Sequence, residues 1–294
     1  MTPQHERKAW AIPERLAATC CTTPEGTAWL EQLPNALRDL ARRWALTLGR
    51  PFDGEEGSCA WVAPVTRADG TTAVLKLAMP HMEGAHELHG LRFWDGDSTV
   101  RLLEADEDLG AMLLERCEPG TALRTLPEPE QDLVIARLLR RLWRPPPKPH
   151  PFRPLSAMTA YWSDETRADA KRWPDAGLVQ EGLRLFEELP HSAPTEVLLA
   201  TDLHAGNVLR AQRVPWLVID PKPFVGDPAY DATQHLFNCA ERLRADPNGM
   251  ICRFADLLGV DPKRVRLWTF ARAAAEPREA WTDDVVELAR AIAP

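Results

Sequence analysis

Thr201-Asp202-Leu203-His204-Ala205-Gly206-Asn207-Val208-Leu209, with the apolar run Trp216-Leu217-Val218-Ile219 closing on Asp220 beyond it, is the stretch from which the rest of the chain can be read. Val197-Leu198-Leu199 precedes it, and both apolar runs have the length and bounding polar residues of short buried strands. Between two strands the sequence therefore places a carboxylate, an amide five residues later, and a second carboxylate thirteen residues after that. An Asp and Asn five apart occur by chance in many chains. Joined to strands on both sides and to Asp220 at this distance, they read as a reaction centre.

The offset of Asp202 and Asn207 is that of the aspartate and asparagine in the protein-kinase catalytic loop, where the first meets the acceptor hydroxyl and the second holds Mg²⁺. Phosphoryl transfer spreads negative charge over the oxygens of the moving group, so catalysis consists mainly of positioning the hydroxyl and neutralising that charge. A carboxylate and an amide on one tight loop, facing a carboxylate at a strand end, can do both. Mg²⁺ takes hard oxygen ligands and keeps several waters, so Asn207, Asp220 and nucleotide phosphates are sufficient.

Such chemistry also needs a lysine on an early strand, pairing with the phosphates and with a glutamate on the next helix. Ala73-Val74-Leu75-Lys76-Leu77 supplies it. Lys76 shares a strand face with Val74, and the helical spacing read over Glu83 to Trp94 offers Glu83 and Glu87, one turn apart; Glu87, deeper in the helix, is preferred. Ala60 to Thr66 and Thr71 to Ala78 alternate with period two around Arg67-Ala68-Asp69-Gly70, a hairpin signal. Asp53-Gly54-Glu55-Glu56-Gly57-Ser58 precedes that hairpin. Gly54 and Gly57 would let backbone N–H groups approach phosphate, with Ser58 adding a hydroxyl, although the spacing departs from G-x-G-x-x-G and a surface turn is an equal reading.

Further strands are expected at Val100 to Leu103 and Ala111 to Glu115, with an acidic turn from Glu104 to Gly110 between them. The segment Leu113 to Glu118 then stands, by its place in the order alone, where an adenine ring would meet the backbone. Before the sheet, Leu33, Leu37, Leu40, Trp44 and Leu48 recur at helical spacing, with Pro34 near the start. After Glu118-Pro119-Gly120 the text turns helical from Glu128, with Leu133, Ile135, Leu138, Leu139 and Leu142 in step. The Pro-rich run Pro145 to Pro151 reads as a stiff connection.

Composition bounds the partners. The chain of 294 residues carries 35 Lys+Arg against 43 Asp+Glu, a net charge of −8, which excludes a strongly basic nucleic-acid binder. No apolar stretch has the roughly 18–20 residues that span a bilayer and no signal-peptide core is present, so no membrane partner and a cytoplasmic location are expected. Six cysteines without a C-x-x-C pair are expected to stay reduced. The 27 prolines predict short helices and stiff connections.

Leu198 to Leu209, Ile219-Asp220-Pro221-Lys222-Pro223-Phe224-Val225-Gly226-Asp227-Pro228-Ala229-Tyr230-Asp231, Leu113-Leu114-Glu115-Arg116-Cys117-Glu118-Pro119-Gly120-Thr121 and Leu91-Arg92-Phe93-Trp94-Asp95-Gly96 together resemble the aminoglycoside phosphotransferases, in the streptomycin 6-kinase and hydroxyurea phosphotransferase branch. The resemblance runs from about residue 50 to about residue 245. It implies an α+β, bilobed, protein-kinase-like fold: residues 1–117 as a nucleotide-binding lobe with an antiparallel sheet, one helix and a helical N-terminal extension, and 118–294 as a larger, mainly helical catalytic and acceptor-binding lobe. It implies ATP and Mg²⁺ as cofactors, Asp202 as catalytic aspartate, Asn207 and Asp220 as metal ligands, and Lys76 as the phosphate lysine paired with Glu87. His204 would order the loop, Asp231 would brace it from behind, and Glu115 and Cys117 would line the adenine hinge. Where many of the wider family read His-Gly-Asp, this chain has Ala200-Thr201-Asp202. The implied activity is transfer to a hydroxyl of a small polar molecule, a streptomycin-like aminoglycoside or, alternatively, hydroxyurea, with a nucleotide-binding pseudokinase scaffold as the reading of another class. Acceptor contacts are expected among Asp164, Glu165 and Asp231, since an acidic cleft suits a cation.

Overall fold

The computed structural model describes residues 11–53, 59–276 and 281–294, so Gly54, Gly57 and Ser58 lie outside the described residues. The chain divides into two compact units, the first comprising residues 1–120 with Ala211–Pro215 and the second 121–210 with 216–294. The boundary read from sequence fell at 117/118 and placed the whole of 211–215 in the second part. The structure assigns that turn to the first unit because Arg213 forks onto Glu115, at 3.0 Å and 2.9 Å, and donates to the carbonyls of Gly96 and Thr99.

The first unit begins with α1 (Glu14–Cys20) and α2 (Pro24–Arg43). Thr23 caps α2 by accepting from the Gly26 N–H at 3.0 Å, and Pro24 fits the first turn, where an N–H is not needed. The helix therefore starts ten residues before Pro34, which lies inside it rather than near its start. It ends at Arg43, since Ala45 turns to φ +50°; Leu48, in step with the helix in the sequence, belongs instead to a strand.

That strand is β1 (Thr47–Leu48), followed by β2 (Ala60–Thr66), β3 (Thr72–Ala78), the helix α3 (Glu87–Trp94), β4 (Leu102–Asp106) and β5 (Ala111–Glu115). The sheet is antiparallel in the order β1-β2-β3-β5-β4. The acidic residues Glu104 and Asp106, read as a turn, continue β4, because cross-strand pairing with Leu113 and Ala111 overrides their weak strand preference. Strand alternation sets the two faces. Trp61, Ala63, Val65, Ala73, Leu75, Leu77, Ala111 and Leu113 form one core with Leu16, Leu33, Leu37 and Leu40 of α1 and α2. Lys76, opposite Val62 and Met112, necessarily points to the other face.

The second unit holds α4 (Glu128–Leu142), α5 (Leu155–Ala168), α6 (Ala176–Glu188), β6 (Val197–Leu199), β7 (Val208–Arg210), β8 (Trp216–Val218), β9 (Phe224–Gly226), α7 (Pro228–Asn238), α8 (Ala240–Ala245), α9 (Pro247–Leu258), α10 (Pro262–Ala275) and α11 (Asp283–Ala291). β6 pairs with β9 and β7 with β8, both antiparallel; β7 and β9 are too short and too mixed to be read from sequence. Leu133, in step with the apolar face of α4, is 55% exposed. Helix α10 is buried along most of its length, and Gly182 of α6 lets it come close: a Cβ there would lie 2.8 Å from that of Ala275. Asp132 of α4 accepts from His235 at 2.8 Å and from Arg242 at 2.6 Å, fastening α4 to α7 and α8. No helix among the described residues is long and apolar enough to cross a membrane.

Candidate active site

In the first unit, the Nζ of Lys76 lies 2.6 Å and 2.7 Å from the two carboxylate oxygens of Glu87, the first residue of α3. Both side chains are buried, at 8% and 3% exposure. An ion pair so enclosed derives no net stability from being charged, since desolvation offsets most of the attraction. Its retention in the sheet's interior points to a use for the ammonium.

The Glu115 carboxylate, at the end of β5, is committed to Arg213 and to the Arg101 N–H at 3.0 Å. Although burial opposes ionisation, these bonds hold its carboxyl below the usual range. Burial, with Glu115 beside it, pushes the Cys117 thiol up to about 11, so the thiol is neutral at pH 7. Neither side chain therefore offers a reactive group, and what this segment can give a planar ring is backbone N–H and C=O.

In the second unit the loop between β6 and β7 is held in an unusual backbone shape. Thr201 in this loop has φ +39°, and Asp220, in the connection after β8, has φ +52°, both in the left-handed region that non-glycine residues avoid. The strain at Thr201 is held by Asp231 on α7, which is 1% exposed. Its carboxylate accepts the N–H of Ala200 at 3.0 Å, of Thr201 at 2.9 Å and the indole N–H of Trp143 at 2.9 Å. Burial raises its pKa to about 6 against the pull of those donors, so the carboxylate they require is still the form at pH 7. Thr201 Oγ1 donates to the Lys222 carbonyl at 2.6 Å and the Lys222 N–H to the Ala200 carbonyl at 2.9 Å, clamping the loop to the segment after β8. Asp231, also expected among acceptor contacts, is thus corrected to an internal brace.

Asp202 follows directly, half-buried. Its Oδ1 accepts from Gln234 Nε2 at 2.7 Å, and its carbonyl accepts from Asn207 Nδ2 at 3.0 Å. The second bond fixes the Asn207 amide with its nitrogen toward the loop, so Oδ1 is the atom it presents elsewhere. Asn207 directly precedes β7, and its carbonyl accepts the Ile219 N–H at 2.9 Å; the hairpin register thereby carries Asn207 next to Asp220. Asp220 Oδ1 accepts from Lys222 Nζ at 2.6 Å. His204 accepts the Gly206 N–H on Nδ1 at 3.1 Å, and burial lowers its pKa to about 4, so a neutral imidazole orders the turn. Asn207 and Asp220 offer an amide and a carboxylate oxygen, a hard donor set that fits Mg²⁺ and not a thiophilic metal.

Each unit thus collects its own share of the residues read from sequence: Lys76 with Glu87 in one, Asp202, Asn207 and Asp220 in the other. Asp164 and Glu165 lie exposed on α5, the first beside Arg167 and the second accepting from Tyr161. Four participants escaped the sequence reading: Trp143, Lys222, Gln234 and Arg272. Gln234 had a signal, being three residues past Asp231 and so on the same helical face. Trp143 and Arg272 had none, since only packing brings them near.

The family description that fits the sequence, aminoglycoside/hydroxyurea antibiotic resistance kinase, matches residues 43–285. The chain belongs to this kinase family. A streptomycin 6-kinase of Streptomyces griseus is 36% identical over 89% of this chain and 88% of its own length. A hydroxyurea phosphotransferase of Kitasatospora aureofaciens is 40% identical over 84% of this chain and 73% of its own. Among solved structures, a choline kinase of Streptococcus pneumoniae superposes with TM-score 0.57 at 13% identity, covering 87% of this chain and 95% of that one. At that identity the likeness shows the fold alone, which is protein-kinase-like.

As a member of this family the chain is a phosphotransferase. In this kinase the departure Ala200-Thr201 before the aspartate leaves the loop well held. The residue at 201 adopts positive φ without being glycine, and its hydroxyl is one of the clamps.

Proposed function

We propose that this kinase transfers the terminal phosphoryl group of ATP to a hydroxyl of a streptomycin-like aminoglycoside, with Asp202 as the base. What carries the reading is that Asp202, Asn207 and Asp220 are oriented by separate hydrogen bonds on one hairpin and its flanking loop. Asp202 accepts the proton of the acceptor hydroxyl as its oxygen bonds to phosphorus and the bond to the ADP oxygen breaks. Lys76, aligned by Glu87, neutralises phosphate charge, and backbone groups of Glu115 and Cys117 meet the adenine. Asn207 and Asp220 would hold Mg²⁺, which when bound supplies charge neutralisation on the phosphates.

Hydroxyurea is a second reading, favoured by the higher identity, 40%, to a hydroxyurea phosphotransferase over a shorter match. An ADP-release assay across streptomycin, other aminoglycosides and hydroxyurea decides. Saturable release with streptomycin, at least tenfold above hydroxyurea in kcat/KM, is expected; the reverse ranking transfers the assignment, and release with neither overturns both acceptors.

The Lys76–Glu87 pair gives a sharper result. Glu87→Ala takes away the carboxylate that both bonds of a buried ammonium reach and is expected to cost about 3–5 kcal/mol of stability. Replacing both residues with apolar ones, Lys76→Met with Glu87→Leu, is expected to restore most of that while turnover stays lost. Chemical denaturation with the same ADP assay checks it, and recovered turnover in the double variant would remove Lys76 from the mechanism.

A further inference from the structure

Behind Asp202 lies a buried polar chain that the reaction as described does not use. Gln234 Nε2 donates to Asp202 Oδ1 at 2.7 Å, and its Oε1 accepts from an Arg272 NH2 group at 2.9 Å. Arg272 is on α10 and is 3% exposed. Its other donors go to Thr233 Oγ1 at 2.6 Å and Glu276 at 2.6 Å and 3.2 Å. The guanidinium lies over the rings of Tyr230 and Phe237, each 5.2 Å away, and of Trp162 at 5.7 Å. A planar cation so enclosed has one orientation.

The chemistry of the two ends fixes the amide between them. A guanidinium only donates and a carboxylate only accepts, so the Gln234 oxygen must face Arg272 and its nitrogen Asp202. Accepting from a charged donor also polarises the amide and strengthens the hydrogen bond it gives onward. Gln234 is three residues past Asp231 on the same face of α7. One helix thus steadies both the backbone before Asp202, through Asp231, and the side chain of Asp202, through Gln234. Stability alone does not require this. Asp202 is half-buried and water can solvate it, whereas the chain passes rigidity from the caged cation to one carboxylate oxygen.

We infer that Gln234 and Arg272 are positioning residues for phosphoryl transfer: the caged guanidinium orients the Gln234 amide, and the amide orients the Asp202 carboxylate toward the acceptor hydroxyl. The inference rests on the reading of Asp202 as the base.

Gln234→Glu tests it, because the isosteric carboxyl keeps the acceptor for Arg272 and replaces the neutral N–H donor to Asp202 with a group that repels its carboxylate or must share a proton with it. Its kcat is expected to fall at least tenfold, with the melting temperature and the Kd for ATP unchanged. A structural role alone would move melting and leave kcat of the folded protein intact. Gln234→Leu, which loses both bonds, is expected to lower kcat at least as far and serves if the glutamate variant does not fold. A kcat within twofold of the parent in a folded Gln234 variant overturns the relay. Asp202→Ala, measured alongside, separates the two claims: if it keeps turnover the base assignment fails, and if it is inactive while the Gln234 variants run normally, only the relay fails.

Discussion

Asp202→Ala is expected to lower phosphoryl transfer by ~10²–10⁴-fold, the usual worth of a placed general base, while ATP still binds. At about 1.36 kcal/mol for each factor of ten, that is roughly 3–5 kcal/mol of barrier. Binding survives because the reading gives Asp202 the acceptor hydroxyl and not the nucleotide. The substitution leaves the bonds to Asp231, the clamp through Thr201 and the Asn207 turn in place, since they use the N–H groups of Ala200 and Thr201, the Thr201 hydroxyl and the Asp202 carbonyl, and none uses the Asp202 side chain. ADP release under saturating acceptor, with calorimetric titration of ATP, checks both halves. Turnover within threefold of the parent would take the base role away from Asp202, and a parallel loss of ATP affinity would mean that the residue holds nucleotide.

Asp231→Ala carries the largest expected effect on the fold. It removes the acceptor for three N–H groups, two of them on the left-handed loop and one on Trp143. A buried donor without a partner costs about 1–3 kcal/mol. Even with water entering the space left by the carboxylate, a loss of about 3 kcal/mol or more is expected, from a total that for ordinary domains is only ~5–15 kcal/mol. The melting temperature should drop by roughly 10 °C. Thr201, at φ +39°, is held by these bonds and by its hydroxyl, so the loop should relax and carry Asp202 away, lowering kcat in whatever fraction stays folded. Differential scanning calorimetry with the ADP assay on the folded fraction tests this. A melting point within 2 °C of the parent would mean that the loop holds its shape without Asp231.

Local sequence settled a good deal. Period-two alternation from Ala60 to Ala78 around Asp69-Gly70 specified the hairpin of β2 and β3 and the face on which Lys76 lies, because strand side chains alternate whatever surrounds them. The offset of Asp202 and Asn207 specified a tight loop, and the structure closes it with the amide of one on the carbonyl of the other. Where alternation or helical spacing gave way, tertiary pairing had won. Leu48 left the helical register for a strand opposite Val65, and Glu104 and Asp106 left a turn for β4.

Tertiary structure alone decided what stands behind the reactive groups. Nothing local tells Trp143 to meet Asp231, 88 residues on, or Arg272 to reach Gln234 from 38 residues away. The groups that touch a reactant must be of one chemical kind at one spacing, so they leave a mark in the text. The groups that hold them need only arrive with a donor or an acceptor, and helix packing delivers those from anywhere in the chain. The same division explains Asp231, whose carboxylate in the sequence suits a cation equally well and is claimed by backbone N–H groups only once α7 is laid against the loop.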